Sequence, residues 1–363
     1  MILKPLVGHA DSRSRVSRAI REGRLPQVLL LTGPAGVGKQ RLALWTAQLL
    51  YCERPGLEPC GDCRGCRLVL GLGHPDLHWI VPIPRPKAAE PDKQVEEAAE
   101  AIAEVLAERR ASPLYLPPDG LSAHGMATAR LIARRAALTP AEGKRKVFVI
   151  GEAERLVPQE ANPEAANALL KLLEEPPGDT TFVLTTAEPS RVLPTIRSRA
   201  VPLRLGRLTD AEVSGFLAAH LEPQPPPAEL GRMVTRAAGS IGAALAQGDE
   251  AQAAQVAANA YLESVLSGPA ARFERALAQG PWQARGDFTG MLDALAETLD
   301  DAARGAVGVA GRRAVLPALR ERTSPERLLT ALGLVAEARE AAQGNVNPQL
   351  LLASLGEDLA EAL

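Results

Sequence analysis

Residues 33–40 read GPAGVGKQ, the G-x-x-x-x-G-K spacing of a phosphate loop with glutamine where serine or threonine usually follows the lysine. Glycines at this spacing let the backbone wind so that successive N–H groups and a helix N-terminus point at phosphate, and Lys39 adds a charge for the terminal phosphates. Gly33, Gly36, Gly38, Lys39 and Gln40 are therefore the candidate nucleotide-binding residues. Hydrolysis needs more: a hydroxyl after the lysine to ligate Mg2+, an acid at the end of a later strand to hold that metal, and a carboxylate to orient water. Gln40 is neutral and longer than serine, a poor direct magnesium ligand. Where the later acid belongs the chain reads Gly151-Glu152, so glycine takes the metal-side position and Glu152 stands where a water-orienting carboxylate would sit. A solvated acid at a strand end describes Glu152 equally well. The loop suits ATP held without turnover, and Mg2+ is disfavoured.

The second chemical group is the cysteines, all of which fall between 52 and 66 as Cys52, Cys60, Cys63 and Cys66, spaced C-x7-C-x2-C-x2-C. Thiolates two residues apart on a tight turn can reach one tetrahedral ion, and Pro59, Gly61 and Gly65 supply the turns. The expectation is one structural Zn2+ with every position filled by protein and none open to substrate; disulfides are disfavoured in a cytosolic setting. His74, just downstream, reads as a turn or packing residue rather than a further ligand.

Elements that would position these groups are legible around them. Leu25 to Thr32 is a short apolar run that meets Gly33, and residues 41–50 carry Leu42, Trp45, Leu49 and Leu50 at helical spacing, giving strand, glycine loop, helix. Lys146–Ile150 and Thr181–Thr185 are two more buried-strand signals, with a helix between them capped by Asn162 and Pro163 and stopped by Pro176 and Pro177. This predicts an α/β P-loop domain with a parallel sheet over about 1–205. Residues 81–125 differ in composition, with a proline-rich start, an acidic-alanine helix from Asp92 to Arg110 and a Pro-Pro-Asp-Gly end, and read as an insertion. Beyond Leu205 the strand signals stop. Thr209 and Glu212 form a capping box, predicting a small helical domain at 206–249, and amphipathic helices run over 250–363. Hydrophobic residues make up 46% but aromatics only 3%, which fits a helix-rich chain packed with alanine, leucine and valine.

These motifs in this order resemble the clamp-loader family of the AAA+ class. The resemblance spans nearly the whole chain and rests on LVGH at 6–9, the phosphate loop, the four cysteines, HPDL at 74–77, NALLKLLEEPP at 167–177, LPTIRSRA at 193–200 and the tail NPQLL at 347–351. It implies a P-loop domain, a helical lid domain and an all-helical collar. It further implies that Arg199, in Ser198-Arg199-Ala200, is an arginine finger acting in trans on a neighbour's ATP, with alanine where the family usually has cysteine. A guanidinium suits that role because it is always charged and planar. Thr186 stands where the family places a phosphate sensor. The lid sensor, a basic residue after Gly-Ser, is missing, since Gly239-Ser240-Ile241 is followed by Gly242. An intact finger beside a defective magnesium site resembles the family's non-hydrolysing subunits. Partners implied are gamma/tau-type motor subunits and a delta-type subunit in a ring, and, through the assembly, the sliding clamp and primer-template DNA.

Two other readings stay open. One is an ATP-hydrolysing gamma/tau-type motor, against which Gln40, Gly151 and Gly242 speak. The other is a zinc-dependent nucleic-acid binding protein using Arg130, Arg134, Arg135, Lys144, Arg145 and Lys146. A formal net charge of -2 announces neither nucleic acid nor a membrane surface. The first residues lack a signal-peptide core, and the longest apolar run, Val28–Leu31, is far below the ~20 residues a bilayer needs. A cytoplasmic, membrane-free protein is expected.

Overall fold

The run VLLLT at Val28–Thr32 (β1) is apolar on both faces, as a central strand of a parallel sheet must be, and all but its last residue are buried. The computed structural model describes residues 3–112, 122–156, 164–245, 249–280, 287–308, 319, 323–342 and 346–363. Around β1 it forms a five-stranded, wholly parallel sheet with β2 (Leu77–Ile80), β3 (Lys146–Ile150), β4 (Thr180–Thr186) and β5 (Val201–Arg204), in the order β2-β3-β4-β1-β5. Val28 registers with Phe182 and Lys146 with Thr180, so the chain leaves β1, β3 and β4 along one edge of the sheet. Ligand crevices of open parallel sheets lie at that carboxyl edge. The three strands expected from apolar runs are present. The other two carried weak signals: β2 is only four residues long, and β5 contains Pro202, which an edge strand tolerates because one side of it needs no ladder.

Helices cover the sheet. α1 (Ala10–Arg21) precedes β1, α2 (Lys39–Leu50) follows the glycine loop, and α3 (Arg64–Leu70) starts at the cysteine cluster. The segment from 81 to 125 does not simply extend into solvent. Its helix α4 (Pro91–Ala111) buries Val95, Ala98 and Ile102 in the same core as Val81 and Ile83, and an antiparallel bridge pairs Ile83 with Ala123. Its Pro-Pro-Asp-Gly end lies outside the described residues. α5 (Met126–Ala137), α6 (Glu164–Glu174) and α7 (Pro194–Arg197) complete the layers; the expected caps Asn162 and Pro163 also lie outside the described residues.

Then come α8 (Asp210–His220), α9 (Pro227–Ala237) and α10 (Ile241–Leu245). The capping box of α8 forms: Glu212 N donates to Thr209 Oγ1 at 3.2 Å, and Thr209 N donates to Glu212 Oε2 at 2.8 Å. The chain divides into two compact units, Met1–Ala243 and Ala244–Leu363, so α8 and α9 belong with the sheet. In the second unit α11 (Asp249–Ser267), α12 (Pro269–Leu277), α13 (Asp287–Ala306), α14 (Pro325–Ala341) and α15 (Pro348–Ala362) pack around Tyr261, Leu295, Val335 and Leu355. The Tyr261 hydroxyl donates to Leu352 O at 2.7 Å, and Asn347 Oδ1 caps α15 by accepting from Gln349 N at 2.9 Å.

Candidate nucleotide site and metal knuckle

The glycine loop leaves β1 at the carboxyl edge and is wound as a phosphate cradle. Gly33, Gly36 and Gly38 have φ of 149, 70 and 104°, values that side-chain-bearing residues rarely adopt. The amides of Gly36, Val37, Gly38 and Lys39 find no acceptor among the described residues, which leaves a nest of N–H groups at the start of α2. Lys39 Nζ meanwhile donates to Gly33 O at 2.8 Å and Pro34 O at 2.6 Å; burial lowers its pKa to about 8 against the opposing charges of Glu154 and Glu152. Residues from outside the motif hold the loop in place. His9 Nε2 lies 2.7 Å from Val37 O, Ser240 Oγ donates to Ala35 O at 2.9 Å, and Gly242 N donates to Gly36 O at 3.0 Å. A Cβ on Gly242 would stand 2.6 Å from Gly36 Cα, so no side chain, basic or otherwise, fits at the position of the missing lid sensor.

The metal side is occupied by protein. Gln40 Oε1 accepts from Trp79 Nε1 at 3.0 Å and from Arg109 Nη1 at 3.1 Å. A Cβ on Gly151 would stand 2.8 Å from Gln40 Nε2, so the glutamine amide takes the room an acidic side chain at 151 would need; the two departures are a matched pair. Glu152, at φ 53°, pairs with Arg155 Nε at 2.9 Å, and burial raises its pKa against the nearby Arg155. Thr185 Oγ1 accepts from Glu152 N at 3.3 Å, whereas Thr186 is wholly buried and accepts from Glu188 N at 3.0 Å. Magnesium asks for hard oxygen ligands in octahedral array. An amide oxygen already engaged twice, a glycine and a guanidinium do not fit it.

Arg199 lies apart from this loop, exposed just after α7. Its guanidinium donates to Thr195 O at 2.7 Å and ion-pairs with Glu174 at the end of α6. Two sequence motifs, NALLKLLEEPP and LPTIRSRA, thus meet in one contact.

The four cysteines come together. Their sulfurs all lie within 4.8 Å of one another, and Cys60 Sγ and Cys66 Sγ are 3.9 Å apart, close to the ~3.8 Å that tetrahedral Zn–S bonds of ~2.3 Å imply. Cys60 N donates to Cys52 Sγ at 3.4 Å, and Cys66 N and Glu53 N donate to Cys63 Sγ at 3.4 and 3.5 Å. Burial by itself raises the Cys63 thiol, but these amides outweigh it and hold it down to about 7, while burial pushes Cys66 up. The cluster could bind one metal ion. His74 is not among its ligands: it stacks on Tyr51 at 3.8 Å and accepts from Asp76 N through Nδ1 at 3.2 Å.

The six basic positions do not form one face. Lys146 is turned inward, donating to Ala136 O at 2.5 Å and to Leu138 O, Arg134 pairs with Asp92, and Arg145 Nη1 donates to Thr181 Oγ1 at 3.2 Å. Arg130 and Lys144 are exposed and Arg135 half-buried. Sequence reading missed His9, Trp79 and Arg109. Only Gln40 hinted at Arg109, since a neutral side chain at the metal position leaves a charge to be supplied from elsewhere.

A parallel sheet with a phosphate loop after an interior strand, between β4 and β5, and short helices bearing on that loop defines a P-loop protein of AAA+ type. The chain belongs to the DNA polymerase III delta-subunit family, whose model matches residues 8–209. The DNA polymerase III subunit delta' of Escherichia coli is 32% identical over 360 residues, covering 92% of this chain and 88% of that protein. The delta' subunit of Pseudomonas aeruginosa is 38% identical over 174 residues, 47% of this chain and 40% of its own length. That of Bacillus subtilis is 32% identical over 185 residues, 51% of this chain and 44% of its own.

Proposed function

We propose that the chain is a delta'-type subunit of a DNA polymerase III clamp loader, a non-hydrolysing stator that supplies Arg199 to the ATP site of a neighbouring motor subunit. The observation that carries this is a pairing of opposites: an exposed arginine at the end of α7, and a phosphate loop of its own whose metal side is filled by Gln40 and Arg109. Relatives that bear the delta' name and are 32% and 38% identical over the stretches they share with this chain support it.

In this reading the helices of 250–363 form the collar that holds the chain in a ring with gamma/tau-type and delta-type subunits. The fold divides as P-loop domain 1–205, lid 206–249 and collar 250–363, and the protein works in the cytoplasm. Arg199 leaves Glu174 and stabilises charge on the phosphoryl group transferred at the neighbour's site. The assembled ring then opens the sliding clamp and places it on primer-template DNA. Cys52, Cys60, Cys63 and Cys66 hold a structural Zn2+, closed to substrate. ATP in the loop of 33–40 would be bound and not turned over, because Gln40, Gly151 and Arg109 are unsuited to Mg2+ and Glu152, the candidate to aim a water, is paired with Arg155. An arginine finger is worth roughly 10³-fold in turnover at the site it completes. Clamp loading onto primed DNA by a reconstituted complex should therefore fall steeply with Arg199→Ala; undiminished loading would sink the assignment.

A further inference from the structure

The inserted helix α4 brings a cation to the phosphate loop. Arg109, in its last turn, is only 8% exposed, donates from Nη1 to Gln40 Oε1 at 3.1 Å and lies over the Trp79 ring at 4.4 Å. We propose that Arg109 stands in for the divalent metal of this loop, so that the site takes the triphosphate of a nucleotide without magnesium.

Position is the first argument. In a phosphate loop the residue after the lysine and the acid ending a neighbouring strand converge on the metal. Here those residues are Gln40 and Gly151, their atoms abut, and the guanidinium is bonded to the side chain of the first. The second argument is charge. Lys39 is also 8% exposed, and Arg41 is held down to about 10 by burial and then by the repulsion of Arg109. Three cations in low dielectric, faced by the acids Glu152 and Glu154 and set beside a nest of N–H groups without acceptors among the described residues, are complementary to a polyanion. A bound Mg2+ would add to that repulsion. The third is chemistry: a guanidinium stays charged at every physiological pH and its planar donor fork matches phosphate oxygens. The Trp79 face fixes its plane, so little ordering is left to do on binding. The segment 81–125, read from composition as an insertion, thereby gains a role, delivering the charge that the loop's own sequence does not recruit.

The proposal deepens the reading of residues 33–40 and is independent of Arg199, so either can fail alone. ATP and tripolyphosphate are the probes, titrated into the purified full chain in EDTA and in excess Mg2+. The dissociation constant in EDTA should equal or be below that in Mg2+, and both probes should raise the melting temperature in EDTA. Losing one charge-assisted donor pair predicts about 10- to 100-fold weaker ATP binding for Arg109→Ala, with Arg109→Lys recovering part of it. Binding that requires Mg2+, absence of binding by wild type at millimolar probe, or tighter binding by Arg109→Ala would each overturn the proposal, the last by making the guanidinium a plug. The wild-type comparison of EDTA with Mg2+ needs no variant to fold.

Discussion

Asp76 shows what a single motif residue does here. Its buried carboxylate accepts from the amides of Ala141, Glu142 and Gly143 at 2.6, 2.9 and 2.5 Å, tying the entrance of β3 to the start of β2. Burial pushes its pKa up, but those amides together outweigh it and hold the carboxyl below the ordinary range. A depressed folded pKa adds stability above the unfolded value of about 3.9 that is lost as pH falls through the folded one. Asp76→Ala should cost about 3 kcal/mol near neutrality by urea denaturation, and the gap to wild type should narrow below about pH 4. The Arg199–Glu174 pair is half exposed and worth less than about 1 kcal/mol, so Glu174→Ala should leave the melting temperature almost unmoved while keeping clamp loading. Arg199 was singled out by the family resemblance, whereas the loop glycines and the cysteines were legible from the sequence because each acts through spacing within a short motif. Arg109 was not, because its partner Gln40 lies 69 residues away and an arginine in an acidic-alanine helix reads as solvated surface.

At the scale of elements, strands that bury both faces announced themselves and the edge strands β2 and β5 did not, since short or proline-bearing segments carry little periodicity. Composition marked out 81–125, yet only packing shows that α4 shares the sheet's core through Val95, Ala98 and Ile102. The buried cluster of the knuckle consists of cysteines alone, so in the proposed reading a metal ion takes the place of an apolar core there. Mass spectrometry of the native chain should find one zinc, and Cys66→Ser should abolish it. Chelation should expose residues 52–66 to protease while β1, β3 and β4 stay protected from hydrogen exchange. Metal-free protein with an unchanged cleavage pattern would count against a structural ion.

The whole molecule combines a sheet-bearing unit and a helical unit, and in the proposed reading the second meets its partners through exposed apolar surface. Of the leucines that helical spacing offers, Leu332, Leu334 and Leu351 pack on its own core, whereas Leu329 on α14 and Leu350 on α15 are 61% and 68% exposed. Sequence periodicity could not separate those classes, because both recur at the same helical period. Leu329→Glu with Leu350→Glu should leave the melting temperature within a few degrees of wild type and weaken co-elution with motor subunits in gel filtration. The central claim is that this chain fires a neighbour's ATP site while its own stays silent, and single-turnover hydrolysis of ATP by a motor subunit mixed with this chain tests it most directly. Wild type should accelerate that turnover, Arg199→Ala should not, and the chain alone should hydrolyse nothing. Equal acceleration by Arg199→Ala, or turnover by the isolated chain at the motor's rate, would contradict the account.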